Sequence, residues 1–118
     1  MSYDVQLFRI ETRQREEQSN DPDFFEKEDY LVPFSADQIK ALTIRLERYK
    51  FVEERRSTFG THFHNDQYGI SALLTDRAVY FQSGWDGDAI FELSMTASEF
   101  TDSGEFAKYD RQNNGWED

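Results

Sequence analysis

The only two histidines of the chain, His62 and His64, lie two residues apart in the segment GTHFHNDQYG. If this segment is a strand, both imidazoles lie on one face about 7 Å apart, because alternate side chains of a strand share a face. Two imidazoles at that spacing can chelate a metal ion, which gives one hypothesis, a metal-dependent enzyme. A zinc site usually takes three or four ligands, and the chain has no cysteine and no third histidine. The simpler expectation is two strand histidines that face solvent or form hydrogen bonds.

Acidic side chains also lie close together in the segment WDGDAIFE, where Asp86, Asp88 and Glu92 could offer oxygen ligands to calcium. Their spacing does not match a calcium-binding EF-hand loop, and Asp86-Gly87 favours a hairpin turn. The chain also lacks a Gly-x-Ser-x-Gly nucleophile motif and a glycine-rich phosphate loop. We therefore predict no catalytic residue and no cofactor, and we expect a protein that is not an enzyme.

The composition describes one acidic domain that is rich in aromatic side chains. The 118 residues are the length of a single domain, spanning 1–118, and 11 Phe, 6 Tyr and 2 Trp residues supply core area. The net charge of −11 repels nucleic acid and anionic membranes, because phosphate contacts need clustered cations. No apolar run reaches the roughly 18 residues of a membrane span, and the N-terminus lacks signal-peptide character, so we expect a cytoplasmic protein.

The hydrophobic pattern predicts an α+β fold, an antiparallel sheet of about five or six strands with one main helix, residues 36–50, packed on one face. Ser35 and Gln38 form a capping-box pattern where that helix begins. A strand is predicted at the N-terminus, followed by an acidic connector over residues 11–30. Short links between the later strands favour hairpins over parallel crossovers. These later strands are predicted at 51–56, 58–65, 68–75, 78–83 and 89–95. A short helix is predicted after Thr96 or Ser98, and regular structure is expected to end near residues 113–115.

Aromatic and acidic residues are interleaved in the C-terminal half of the chain. Aromatic anchors surrounded by charge combine affinity with electrostatic steering. The leading hypothesis is therefore a non-catalytic protein-interaction domain that binds a basic protein. Its hypothetical interaction surface comprises Tyr80, Trp85, Asp86, Asp88, Tyr109, Asp110 and Trp116. A self-associating structural protein with an open sheet edge is a further alternative, and the sequence leaves the oligomeric state open.

The chain resembles small acidic bacterial proteins of the α+β class in the order of its elements. That order is a strand, an acidic loop, a helix and antiparallel hairpins, followed by the segment MTASEFTDSGEFAKYD and an acidic tail. Some proteins of this organisation are immunity proteins that neutralise toxins. The resemblance covers most of the chain and includes no catalytic motif, so it assigns no functional residue. It implies binding, as an immunity-type or inhibitor partner, rather than catalysis.

Overall fold

The computed structural model describes residues 2–117 as one seven-stranded antiparallel sheet with three α-helices. The predicted α+β class and antiparallel sheet are confirmed, whereas the predicted number of strands is too low and two helices are additional. The strands are β1 Tyr3–Arg9, β2 Val52–Ser57, β3 Gly60–Asn65, β4 Ile70–Leu74, β5 Val79–Ser83, β6 Phe106–Asp110 and β7 Gly115–Glu117. The helices are α1 Ile10–Gln18, α2 Ala36–Arg48 and α3 Gly87–Glu99, with short 3₁₀ turns at Phe24–Glu26 and Glu28–Tyr30.

The sheet has the strand order β2-β3-β4-β5-β1-β6-β7. The N-terminal strand β1 lies inside the sheet, antiparallel to both β5 and β6, which confirms the expectation that it joins the same sheet. Strands β2 to β5 follow one another as hairpins, as their short links require. The two edges are therefore β2, six residues long, and β7, three residues long.

Helix α2 forms where its sequence predicts it. The Ser35 hydroxyl accepts a hydrogen bond from the Gln38 backbone N–H at 3.1 Å, and the Gln38 side chain accepts one from the Ser35 N–H at 2.9 Å. This capping box satisfies two backbone donors that the first turn leaves without partners. Leu42 and Leu46 are buried against the sheet, so the helix is fixed both by its local cap and by its apolar stripe.

The main hydrophobic core lies between helices α2 and α3 and one face of the sheet, which we call the helix face. Val5 and Leu7 of β1 and Leu93 and Ala97 of α3 are fully buried in this core. Phe100, directly after α3, also packs edge-on against a sheet aromatic in the core. Apolar side chains that alternate along the strands point to this face, as period-two patterning requires.

The opposite face of the sheet, the open face, is covered only in part. Phe24, within the predicted acidic connector, packs with Phe8, Leu31 and Tyr109 in a second buried cluster. Residues 11–30 are predicted to form a loop that leads to a short helical turn. The loop is wrong for the first part, where α1 lies, whereas the short turn agrees with the 3₁₀ turn at Phe24–Glu26. Helix α1 has almost no apolar stripe, with Thr12 as its only buried residue, so periodicity could not reveal it.

The segment predicted as a strand at 89–95 is instead the middle of helix α3. Asp86 caps this helix by accepting a hydrogen bond from the Asp88 backbone N–H at 3.3 Å, so Asp86-Gly87 begins a helix rather than a hairpin turn. Ala89, Leu93 and Ala97 are buried at the four-residue spacing of a helical face. The short helix predicted after Thr96 or Ser98 is the end of α3. Residues 113–115, predicted to end regular structure, lead into β7.

Within residues 2–117, no helix combines the length and the apolar character that a membrane span requires.

Candidate interaction surfaces

His62 and His64 lie on the open face of β3, opposite Leu73 and Ser71 of β4. The strand prediction for this segment, with both imidazoles on one face, is confirmed. His62 Nε2 lies 3.1 Å from the Ser57 hydroxyl, and His64 Nδ1 lies 3.2 Å from the Ser71 hydroxyl. The described part of the chain contains no group of three or more His, Asp or Glu side chains that could hold a metal ion.

Asp66, His64 and Ser71 form a chain of polar contacts that resembles an activated nucleophile, with His64 Nε2 3.3 Å from the Asp66 carboxylate. Activation of a serine requires a base that a third group holds in place. The Asp66 side chain is 98% exposed, and water competes with it for the imidazole. These three residues therefore include the partners of a triad, but the exposed Asp66 does not fix the orientation of the imidazole. The contacts are typical of surface hydrogen bonding.

The seven residues of the hypothetical interaction surface do not form one surface. Trp85, Asp86 and Asp88 are exposed around the start of α3. Tyr80 is half-buried on the open face, where it faces Phe8 edge-on. The remaining three residues, Tyr109, Asp110 and Trp116, belong to β6 and β7. The structure thus separates the group around Trp85 from the group on the open face and at the β6–β7 hairpin.

The residues at the β6–β7 hairpin are used for packing inside the domain. The rings of Tyr109 and Trp116 are 5.1 Å apart, and the Trp116 indole N–H donates to Glu16 at 2.8 Å. Tyr109 and Asp110 are buried. The Asp110 carboxylate accepts hydrogen bonds from Gln112 and Asn113, at 2.6 and 2.8 Å, and so fixes the turn. Of the seven residues of the hypothetical interaction surface, only Trp85, Asp86 and Asp88 are exposed.

The outer face of α3 extends the group around Trp85. Phe91 and Met95, one helical turn apart, are 64% and 45% exposed. Asp88, Glu92 and Glu99 lie on the same side of the helix, because steps of three and four residues return to one face. We call this surface the α3 patch, consisting of Trp85, Asp88, Phe91, Glu92, Met95 and Glu99.

The sequence pattern did not indicate Phe91 and Met95 as surface residues, because a strand at 89–95 would place both beside Leu93 in the core. On a helix, residues two positions apart point in nearly opposite directions. Leu93 is buried while Phe91 and Met95 face solvent. The signal that could have found them is the spacing of Ala89, Leu93 and Ala97, which defines the buried side of a helix.

Among the residues that the structure describes, no cation pairs with the acids at the start of α3. Asp86, Asp88 and Glu92 form no ion pair with any residue in 2–117. Asp86 and Asp88 lie at the positive end of the helix dipole, which stabilises the helix but supplies no mobile counter-charge. The patch therefore presents two apolar side chains beside uncompensated acids.

Three side chains, Arg45, Tyr49 and Lys108, hold α3 in place at its C-terminal half. Arg45 of α2 binds both carboxylate oxygens of Asp102 at 2.7 and 2.8 Å and the Glu99 carbonyl at 2.8 Å. These hydrogen bonds keep the pKa of Asp102 below its usual value. The Tyr49 hydroxyl also binds the Glu99 carboxylate. Lys108 of β6, only 1% exposed, donates to the Ser94 carbonyl and to the hydroxyls of Ser94 and Ser98.

The uncovered part of the open face forms a shallow groove of about 590 Å³. Its floor is a row of side chains in register across neighbouring strands: Arg55, His62, Leu73, Tyr80 and Gln6. Burial raises the pKa of Tyr80, so its hydroxyl stays protonated near neutral pH. The row brings together a guanidinium, an imidazole, a phenol and an amide, all of which can form hydrogen bonds to a ligand.

In comparisons with protein-family models, curated proteins and solved structures, nothing matches this chain.

Proposed function

We propose that this protein is a non-catalytic interaction domain that binds a basic protein through the α3 patch. One observation carries the proposal: Phe91 and Met95 are exposed side by side on a firmly anchored helix and are flanked by acids that have no cationic partner among residues 2–117. Contiguous exposed apolar surface rimmed by polar residues often marks a protein interaction site. An immunity-type or inhibitory role is the form of binding that we favour.

The apolar part of the patch would supply most of the affinity. Burying a Phe or Met side chain contributes roughly 1.5–3 kcal/mol relative to leaving it exposed. Each loss of about 1.4 kcal/mol weakens binding tenfold. Removing both side chains should therefore weaken binding by about a hundredfold or more when the partner covers both the Phe91 ring and the Met95 thioether.

The acidic part of the patch would select a basic partner. A net charge of −11 attracts cationic proteins over distances of about a Debye length, and complementary charge mainly accelerates association. Asp88 and Glu92 would meet Lys or Arg side chains at the rim of the contact. Rim charges change the association rate and its salt dependence more than the dissociation rate.

The test compares capture of proteins from the native cells by the wild-type domain and by Phe91→Ala/Met95→Ala. Ile44→Ala serves as the matched control, because Ile44 is also exposed and apolar but lies on α2. We expect the wild type and the control to retain the same basic protein, which the double variant loses. Equal retention of that protein by the double variant would contradict the proposal, as would a retained partner that is acidic.

A further inference from the structure

Strand β2 forms the longer edge of the sheet and has no neighbour on its outer side within residues 2–117. All six of its side chains are exposed. An edge strand presents a row of free backbone N–H and C=O groups that can pair with another strand. The identity of a suitable strand can be read from the charges along β2.

The central residues of β2 are Glu53, Glu54, Arg55 and Arg56. If β2 pairs antiparallel with β2 of a second copy, centred between Glu54 and Arg55, each glutamate lies opposite an arginine of the partner. Opposite charges across a strand pair stabilise it, whereas like charges destabilise it. A parallel pairing in register would instead place glutamate against glutamate. The charge sequence therefore favours one orientation and one register for self-pairing.

A β-bulge in β2 makes this register compatible with two-fold symmetry. Residues three apart on a regular strand point to opposite faces. A two-fold axis perpendicular to the sheet maps each face onto itself, so residues that pair across the axis must lie on the same face. The register of β2 shifts between Glu53 and Arg55, so Glu53 lies opposite Phe63 and Arg56 opposite Thr61. Phe63 and Thr61 share a face of β3. Glu53 and Arg56 consequently lie on the same face, with Arg56 Nη2 3.3 Å from Glu53 Oε1. Each can therefore meet its counterpart on the second copy.

The ends of the edge carry the two most exposed large apolar side chains of the described residues. Val52 is 66% exposed, and Phe59, in the turn after β2, is 76% exposed. In the proposed register Val52 faces Ser57 of the second copy, and Phe59 of that copy lies two residues further along. Diagonal neighbours at this separation are within reach of an aromatic ring. Two Val52–Phe59 contacts would thus close the ends of the pairing.

We propose that β2 pairs antiparallel with β2 of a second copy of this chain, joining the two sheets into one continuous sheet. The interface is isologous, because the same residues contribute from both copies. Pairing of six residues buries less surface than the roughly 1,000 Å² or more that stable interfaces bury. The dimer is therefore weak and forms at high protein concentration. The α3 patch is on a different element and stays available on each copy.

Charge-reversed variants test the register directly. Arg55→Glu/Arg56→Glu gives an edge with four acids, and Glu53→Arg/Glu54→Arg gives an edge with four bases. We expect each variant alone to be monomeric in sedimentation velocity at concentrations where the wild type dimerises. An equimolar mixture of the two should form heterodimers. A variant with all four substitutions should dimerise by itself again, because it restores the complementary order.

Circular dichroism establishes first that each variant is folded, as expected for substitutions at exposed edge positions. The proposal is overturned if the wild type stays monomeric at every accessible concentration. It is equally overturned if a folded double variant dimerises as strongly as the wild type, because the charges would then not determine the pairing. Since Phe91→Ala/Met95→Ala should leave this dimerisation unchanged, failure of the dimer is distinguishable from failure of the proposed function.

Discussion

Replacing Lys108 with methionine is expected to lower the free energy of unfolding by about 2–3 kcal/mol. The Lys108 ammonium is buried between β6 and α3 and lies within 2.6–3.0 Å of four acceptors. Those acceptors are the Ser94 carbonyl, the hydroxyls of Ser94 and Ser98, and the Glu117 carboxylate. Methionine keeps an unbranched apolar stem of similar length, so the change removes the charge and its hydrogen bonds with little loss of packing.

The size of the effect follows from what each acceptor does without the ammonium. A hydrogen bond to a charged group contributes about 1.5–3 kcal/mol, and removing one member of a buried ion pair costs about 3–5 kcal/mol when the other is left buried. Glu117 is about half exposed and can recover water, and the serine hydroxyls can turn toward backbone carbonyls of their own helix. Methionine also avoids the desolvation cost of the ammonium. The expected loss in the free energy of unfolding is therefore smaller than the cost of leaving a buried charge without a partner.

Urea unfolding of the wild type and of Lys108→Met measures the difference directly, and a thermal midpoint lower by about 10 °C should accompany it. Lys40→Met is the matched control, because Lys40 is an exposed lysine of α2 with no partner among residues 2–117. Its free energy of unfolding should change by no more than about 0.5 kcal/mol. A Lys108→Met protein as stable as the wild type would contradict this prediction, since the cost of burying the charge would then equal the gain from its hydrogen bonds.

Three further outcomes follow from individual side chains. Arg45 lowers the pKa of Asp102, so the stabilisation it gives is present above the ordinary Asp pKa and is lost as the pH falls through the lowered value. Asp102→Asn should therefore flatten the acid side of a stability–pH profile, and an unchanged profile would contradict this assignment. Burial raises the pKa of Tyr80, so its contribution is present below the ordinary tyrosine pKa of about 10 and is lost as the pH rises through the raised value. Tyr80→Phe should remove a high-pH step from the phenolate absorbance, and retention of that step would assign it elsewhere. Calorimetric titration with Zn²⁺ should give the same negligible heat for the wild type and for His62→Ala/His64→Ala, whereas strong binding by the wild type alone would revive the metal hypothesis.

The elements that could be predicted are those whose signals are local. The capping box of Ser35 and Gln38 and the short links between strands need no knowledge of distant residues, and both features formed as expected. Helix α3 was missed because Phe91, Leu93 and Met95 alternate with more polar residues as in a strand. Its cap at Asp86 and the burial of Ala89, Leu93 and Ala97 at four-residue spacing both accompany the helix.

The positions of the candidate surfaces depended on information that the local pattern lacks. The place of β1 between β5 and β6 is set by contacts between distant segments, and this placement buries Tyr109 beside Phe25 and Trp116. The local sequence of an aromatic residue next to an acid does not indicate whether the ring is exposed or buried. Trp85 and Asp86 are exposed, whereas Tyr109 and Asp110, with the same local pattern, are buried.

The two proposed contacts differ in their dependence on salt, and this difference separates them physically. Attraction between the α3 patch and a basic protein acts over about a Debye length, roughly 10 Å at 0.1 M salt, so added salt should weaken it. In the β2 pairing, two copies that each carry a charge of −11 repel one another over the whole molecule. Moderate salt screens this long-range repulsion more strongly than it screens Glu–Arg contacts at hydrogen-bond distance. Dimerisation should consequently strengthen between low and moderate salt while partner binding declines. If dimerisation declined together with partner binding, screening of the Glu–Arg attraction would outweigh the relief of the net repulsion, and the expected contrast would be contradicted.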